Sequence, residues 1–445
     1  MKVPEAAPDL SQLDMDEVAS LVKYIAGGEK AVPAKYLHWD ELRRREPPMG
    51  MSGRAWWAVV KSARQVNRVD VPLPSLGAAS FHLVRTPAVQ RALSFVDRNM
   101  AGQLASGHDA VQQVDPARVI LRSLREEAVQ SSLLEGAATT RQEALDLLRS
   151  GRPPQTHGEK MVANNYAGIQ WVREHRDEPI SVAGLCELHA VLTKGTLSTD
   201  AQEGQLQQPG ESRVVVRDRQ TNEVLYTPPS AEHLPTLLDA LIELACGGEE
   251  AEPWLHPVER AILCHFGVSW IHPFEDGNGR TARALFYWVM LQRGYWFTEY
   301  ITLSKYLRNA PAAYARSFLY TETDDNDVTY FLLHQLEIVE RAFTEVHRRV
   351  SERTAELRQL ERSARLDGVL NHRQLALVQH ALRQNHPEYT IASHQRSHGV
   401  SYPTARQDLI DLESLGLLRS FKRSRAKIYV PVDDLEAALQ RAGHQ

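Results

Sequence analysis

The residues best suited to chemistry lie in one run, Ile271-HPFEDGNGRTAR-Ala284. His272 follows an apolar stretch, AILCHFGVSWI, that predicts a core helix. Pro273 stops that helix and sets the imidazole at a loop mouth. Gly277, Asn278 and Gly279 permit unusual backbone angles and close approach of a ligand. A helix is predicted to start near Gly279-Arg280, so its unsatisfied N–H groups and positive dipole end face the loop as an anion site. Arg280 and Arg283, three residues apart, share the helix face toward that anion. Asp276 beside them suits Mg²⁺ held by one carboxylate, with phosphates supplying further ligands. One imidazole, one metal carboxylate, an anion nest and two guanidiniums describe a phosphoryl- or nucleotidyl-transfer site. The sequence has no G-x-x-x-x-G-K-[ST], so no Walker loop holds the nucleotide.

Taken singly, each residue has a plainer reading: a histidine cap, a Gly-Asn-Gly turn, a solvated arginine face. Together they do not, because eight fixed positions at roughly 1 in 20 each coincide by chance on the order of once per 10¹⁰ sites. HPFEDGNGRTAR resembles the Fic signature, H-P-F-x-[DE]-G-N-G-R-x-x-R, with no departure at a fixed position. PGESRVVVRDRQTNEVLYTPPSAEHLPTLL is similar to the flap hairpin of that family, and the resemblance covers residues 115–345. It implies a mainly α fold and a protein adenylyltransferase, which moves AMP from ATP to a Tyr, Thr or Ser hydroxyl and releases pyrophosphate. On that resemblance His272 is the general base. Phe274 fixes the loop, and Asp276 holds Mg²⁺ against the α- and β-phosphates. Gly277, Asn278 and Gly279 form the anion hole, Asn278 also touching phosphate. Arg280 binds the β-phosphate side and Arg283 grips the γ-phosphate. The flap residues Val214, Val215 and Val216 would pair with an extended stretch of the target; an ordinary edge hairpin is the alternative. Tyr314 resembles a position near the adenine pocket of the family.

Ser131-Ser132-Leu133-Leu134-Glu135-Gly136 matches the inhibitory motif of the same family, [ST]-x-x-x-E-[GN]. The resemblance implies that Glu135 pairs with Arg283, bidentately, in the place of the γ-phosphate and leaves ATP in an unproductive pose. A plain helix-end salt bridge is the alternative. The signature does not separate AMP transfer from AMP removal, nor ATP from another nucleotide.

The rest of the chain must position this centre. At 445 residues it is too long for one core. With 43% hydrophobic and 24% charged residues it has the composition of a soluble globular protein. A net charge of -5 excludes a polycation built throughout for nucleic acid. Three cysteines form no close pair, so neither a disulfide framework nor a zinc knuckle is expected. No signal peptide or eighteen-residue apolar run is present, so the expected location is cytoplasmic, with no membrane partner. Residues 1–114 read as a helical region broken by Pro and Gly, with Asp40 a candidate cap. Residues 115–345 are the Fic domain with its inhibitory helix, opened by an Asp115 cap and Pro116. A hairpin of Val214–Val216 and Val224–Tyr226 interrupts its helices. Residues 346–370 read as an amphipathic connector. Residues 371–445 read as three helices and a hairpin, and SYPTARQDLIDLESLGLL resembles the recognition helix of a winged helix-turn-helix domain. That segment has ten Lys/Arg against seven Asp/Glu, with Arg419, Lys422, Arg423, Arg425 and Lys427 in the wing. The expected partners are ATP, a target protein (the chain itself included) and, through the winged helix, DNA or a docked protein. A DNA-binding regulator with a nucleotide-sensing Fic domain stays open, as does a homodimer.

Overall fold

The structure, a computed structural model, describes all residues except 1, 11–12, 20–21, 23–31, 78, 102–115, 200–201, 218–220, 367–369, 384–386, 424–425 and 443–445. Short polar side chains start most helices by accepting an otherwise orphaned N–H. Ser52 does so for α1 (Gly53–Gln65) and Thr86 for α2 (Pro87–Met100), with the antiparallel pair β1 (Arg68–Asp70) and β2 (His82–Val84) between them. After α3 (Pro116–Leu134), capping boxes at Thr140/Glu143 and Thr156/Glu159 open α4 (Arg141–Ser150) and α5 (His157–Glu174). Ser181 caps α6 (Val182–Thr193). The hairpin β3 (Val216–Arg217) and β4 (Val224–Tyr226) then leads to α7 (Leu234–Cys246), α8 (Pro257–Ile271), α9 (Asn278–Gln292), α10 (Pro311–Glu322) and α11 (Thr329–Leu366). Last come α12 (His372–Arg383), α13 (Ile391–His398), α14 (Tyr402–Ser414), the antiparallel pair β5 (Leu418–Arg423) and β6 (Ala426–Pro431), and α15 (Leu435–Ala442).

The chain divides into two compact units, Met1–Gly102 with Ser123–Phe343, and Gln103–Arg122 with Thr344–Gln445. The first is organised on α8 and α9, which are buried nearly end to end. Of residues 1–114, which the sequence sets apart, Met1–Gly102 belong to this unit. Phe81 lies edge-on to Phe266 and Trp270 of α8, with ring centroids 5.5 and 4.9 Å apart. Strand β2 adds backbone bonds, His82 N–H to Asn326 O and Val328 N–H to His82 O. Lys61 of α1 meets Asp324 at 2.7 Å, and Arg64 donates to the Tyr330 hydroxyl, which donates in turn to Asp324.

In the second unit Leu375, Val378, Leu409, Leu412, Leu417 and Tyr429 build a separate core. Ser401 caps α14, and Asp408 on that helix takes Arg373, Asn371 and His394 together. On the hairpin Arg419 pairs with Asp433, Arg423 with Glu388 and Lys427 with Glu413, so three of the expected phosphate-seeking cations are already matched to carboxylates.

Several expectations change. Val214 and Val215 lie outside the strand, which begins at Val216, because β4 offers pairing partners only to Val216 and Arg217. The proposed boundary at 345/346 falls within one continuous 38-residue helix. His38, rather than Asp40, caps the short helix Trp39–Leu42, its ring accepting the Asp40 N–H. The Asp115 cap and Arg425 lie outside the described residues. Among the described residues no helix is long and apolar enough to cross a membrane.

Asp324 is fully buried against Lys61 and near Arg64. Removing one partner from a buried pair strands the other charge. Asp324→Ala should therefore destabilise the first unit by about 3 kcal/mol in urea denaturation. An unchanged midpoint would show that the network does not hold residues 1–102 in place.

Candidate active site

The motif begins where α8 ends. His272 is its C-cap, in the left-handed region at φ 52, ψ 55. A side chain pays about 1–2 kcal/mol for that conformation, so it persists only where neighbours fix it. The His272 N–H donates to Val268 O at 2.9 Å, and Nδ1 lies 3.3 Å from Ser269 O. The second contact selects the tautomer with the proton on Nδ1 and leaves Nε2 as the basic nitrogen. Burial holds the imidazole below its ordinary value, opposed by the Ser269 bond and assisted by the Arg213 cation. It is neutral at pH 7.

The loop after His272 is held by its carbonyls. Arg213 Nη2 donates to Ile271 O at 2.7 Å and to His272 O at 2.9 Å. Gln207 N–H donates to Pro273 O at 2.9 Å, Asn278 Nδ2 to Phe274 O at 2.7 Å, and His189 Nε2 lies 2.8 Å from Asp276 O. His189 Nδ1 accepts the Gly204 N–H, so Nε2 carries the proton and donates to Asp276 O. Burial pushes this imidazole down to about 4, which keeps it neutral. Its ring stacks on Phe274 at 3.8 Å. Asn278 also accepts the Phe274 N–H at 2.9 Å, so both ends of its amide fasten the loop. Contact with a phosphate would fall to its backbone N–H instead.

Gly277 caps α9 at φ 80, and a Cβ there would come 2.6 Å from Thr193 Cγ2. Only glycine meets both conditions. The first helical bond runs from Thr281 N–H to Gly277 O, so the N–H groups of Asn278, Gly279 and Arg280 have no intrahelical acceptor. Arg280 is buried, donating to Leu192 O at 2.9 Å and to Asp276 Oδ2 at 3.2 Å. The Asp276 side chain itself is 66% exposed. Arg283 is buried as well. Its Nε and Nη2 close on the Ser131 hydroxyl at 3.1 and 2.9 Å, and Glu135 Oε1 meets Nη2 at 2.8 Å. The fork expected to grip Glu135 bidentately is thus shared with Ser131. Burial disfavours the Arg283 cation, and Glu135 with Tyr314 and Glu127 more than offsets that. A Cβ at Gly279 would come 2.4 Å from Glu135 Oε1, so the carboxylate covers the first turn of α9.

Helix α3 and the residue just past its end supply these partners by periodicity. Glu127, Ser131 and Glu135 recur every four residues. Glu127 is buried and accepts from the Ser304 N–H and hydroxyl. Ser132 accepts from Asn165 of α5 at 2.6 Å, which fixes the helix beside the site. The Tyr314 hydroxyl lies 2.8 Å from His265 Nε2, and burial pushes that phenol up to about 12. Val216 is half-buried on the hairpin, whose Tyr226 donates to Trp270 O at 2.8 Å. The structure therefore brings His272, Asp276, Gly277, Asn278, Gly279, Arg280, Arg283 and Glu135 to one place. Sequence reasoning missed His189, Arg213 and Glu127. His189 had a signal, a polar residue in the apolar helix GLCELHAVL; Arg213 had none beyond its place before Val214.

The Fic/DOC family matches residues 179–290. Protein adenylyltransferase fic-1 of Caenorhabditis elegans is 23% identical over 215 residues, 46% of this chain and 39% of that protein. Protein adenylyltransferase Fic of Drosophila ananassae is 27% identical over 238 residues, 50% of this chain and 43% of that protein. The chain thus spans less than half the length of these curated relatives. A crystal structure of a Fic family protein from Desulfovibrio desulfuricans G20 superposes with a TM-score of 0.51 over 78% of this chain and 97% of that one, at 19% identity, and so shares the fold. The domain at residues 179–290 is thus similar to the Fic/DOC family.

Proposed function

We propose that the chain transfers AMP from ATP to a hydroxyl of a target protein and that Glu135 restrains the transfer. One juxtaposition supports this: a neutral imidazole next to a helix N-terminus flanked by two buried guanidiniums, Arg280 paired with Asp276 of the loop and Arg283 with Glu135 from outside it. His272 Nε2 takes the hydroxyl proton, and the hydroxyl oxygen bonds to the α-phosphorus. The bond from that phosphorus to the bridging oxygen breaks, and pyrophosphate leaves. The N–H groups of Asn278, Gly279 and Arg280 meet the phosphate charge, Arg280 taking the β side and Arg283 the γ-phosphate. Tyr314 lines the nucleotide site. The hairpin at Val216 offers its edge to an extended target segment, with Val214 and Val215 leading into it.

The residues fit Mg²⁺. Among the described residues no cluster of three or more ligating side chains exists, and Asp276 is one largely exposed carboxylate beside the anion site. Magnesium held through one carboxylate, with phosphates and water completing its shell, asks for no more. When bound it would neutralise charge on the α- and β-phosphates.

Glu135 stands where Arg283 would hold a γ-phosphate. Coupling of that kind is worth roughly 1–3 kcal/mol. The matched cations on β5 and β6 leave less support for the alternative of a DNA-binding regulator.

Glu135→Gly should raise AMP self-labelling from labelled ATP and Mg²⁺ at least tenfold, about 1.4 kcal/mol. Arg283→Ala should show no gain, alone or with Glu135→Gly, because it loses the phosphate grip with the restraint. Labelling by Glu135→Gly no faster than by the unaltered chain would reduce the SSLLEG segment to a helix end. In the Glu135→Gly protein, His272→Ala should abolish transfer while ATP binding persists in calorimetry; near-normal labelling would remove His272 from its role. Because burial holds His272 below 6.5, its acid limb should lie below that pH and transfer should be flat through pH 7.

A further inference from the structure

The contacts of one side chain outside the signature reach both the reacting loop and the hairpin. Arg213 is the residue before Val214, at the root of the hairpin. Its Nε donates to Pro229 O at 2.7 Å, where the hairpin ends. Its Nη1 donates to the Gln207 side chain, and the Gln207 N–H holds Pro273 O. Its Nη2 donates to Ile271 O and His272 O, the orphaned carbonyls at the end of α8. A cation is also the favoured charge at a helix C-terminus. One planar fork therefore ties both ends of the hairpin to the backbone of His272, and lysine cannot reproduce that geometry.

We propose that Arg213 is a positioning residue for the base: it locks the left-handed turn at His272 to the root of the hairpin, so that a target segment bound there and the imidazole keep one fixed geometry. This rests on the adenylyl-transfer reading for its consequence, but the contact itself is independent of it. His272 needs such a lock, because its backbone is left-handed without being glycine. Its N–H and Nδ1 are fixed within α8, and Arg213 supplies the restraint on its carbonyl. Arg213 touches no reacting atom, so its loss should leave nucleotide binding intact and misplace the base. A displacement on the order of 1 Å costs about 10²-fold in rate.

The test uses Arg213→Gln and Arg213→Lys in the full chain carrying Glu135→Gly. Both should keep the affinity for ATP within about twofold of the parent. Transfer turnover should fall by about 10²-fold for Gln, and Lys should restore only part of it. Turnover unchanged in both variants, or a loss confined to the KM for ATP, would overturn the proposal. A second measurement needs no activity: imidazole titration by NMR in the chain without nucleotide, with His272→Gln identifying the resonance. The charged groups acting on His272 are Arg213, Glu135 and Asp276. Arg213→Gln removes the cation, so the midpoint should move to higher pH, and the Ser269-bonded tautomer signal should broaden or shift. A His272 titration and tautomer identical to the parent would overturn the proposal. A Glu135→Gly parent that transfers nothing would instead overturn the adenylyl-transfer reading, with the NMR result still deciding the role of Arg213.

Discussion

Two guanidiniums are buried within the first six residues of a helix whose N-terminus is itself positive. Like charges held out of water are costly unless each is matched. The structure matches them separately. Asp276 takes Arg280 from the loop, while Ser131 of α3 and Glu135 just past its end take Arg283. That division explains why α3 packs beside α9 with Glu127, Ser131 and Glu135 on a shared face. It also explains the loop. Its carbonyls are drawn away to Arg213, Gln207, Asn278 and His189, so negative ends of peptide dipoles do not add to the first turn of α9. The Glu135 carboxylate lies over that turn.

The scaffold answers the same demand. Helices α8 and α9 are buried nearly end to end because other elements cover them. Residues 1–102 are part of that cover, through Phe81 on α8 and the Lys61–Asp324 pair. On the proposed reading a rigid frame is useful, since catalysis by positioning loses rate with small displacements.

The centre was legible in the sequence because its chemistry is local. A histidine, a proline stop, three small residues and two arginines one helical turn apart specify a helix–loop–helix turn with an open helix N-terminus through backbone rules alone. Glu135 was legible by its spacing from Ser131, although not that Ser131 itself would share the Arg283 fork. The supports were not legible. Arg213 reaches a carbonyl 59 positions away, and His189 one 87 positions away, contacts that no periodicity encodes. Residues 1–102 stayed unread for the same reason, since their role lies in side chains meeting a distant turn. The strand at Val214 was misplaced because three valines favour extension but pairing depends on the partner strand.

If Glu135 occupies the γ-phosphate position, it should oppose ATP and leave ADP nearly indifferent. Calorimetric binding of ADP and of a non-transferable ATP analogue, with Mg²⁺, to the unaltered chain and to Glu135→Gly measures that difference directly. The two nucleotides should bind the unaltered chain alike, and Glu135→Gly should tighten the triphosphate alone, by about tenfold or 1.4 kcal/mol. Equal tightening of both nucleotides, or of neither, would contradict a γ-phosphate role for the Arg283–Glu135 pair.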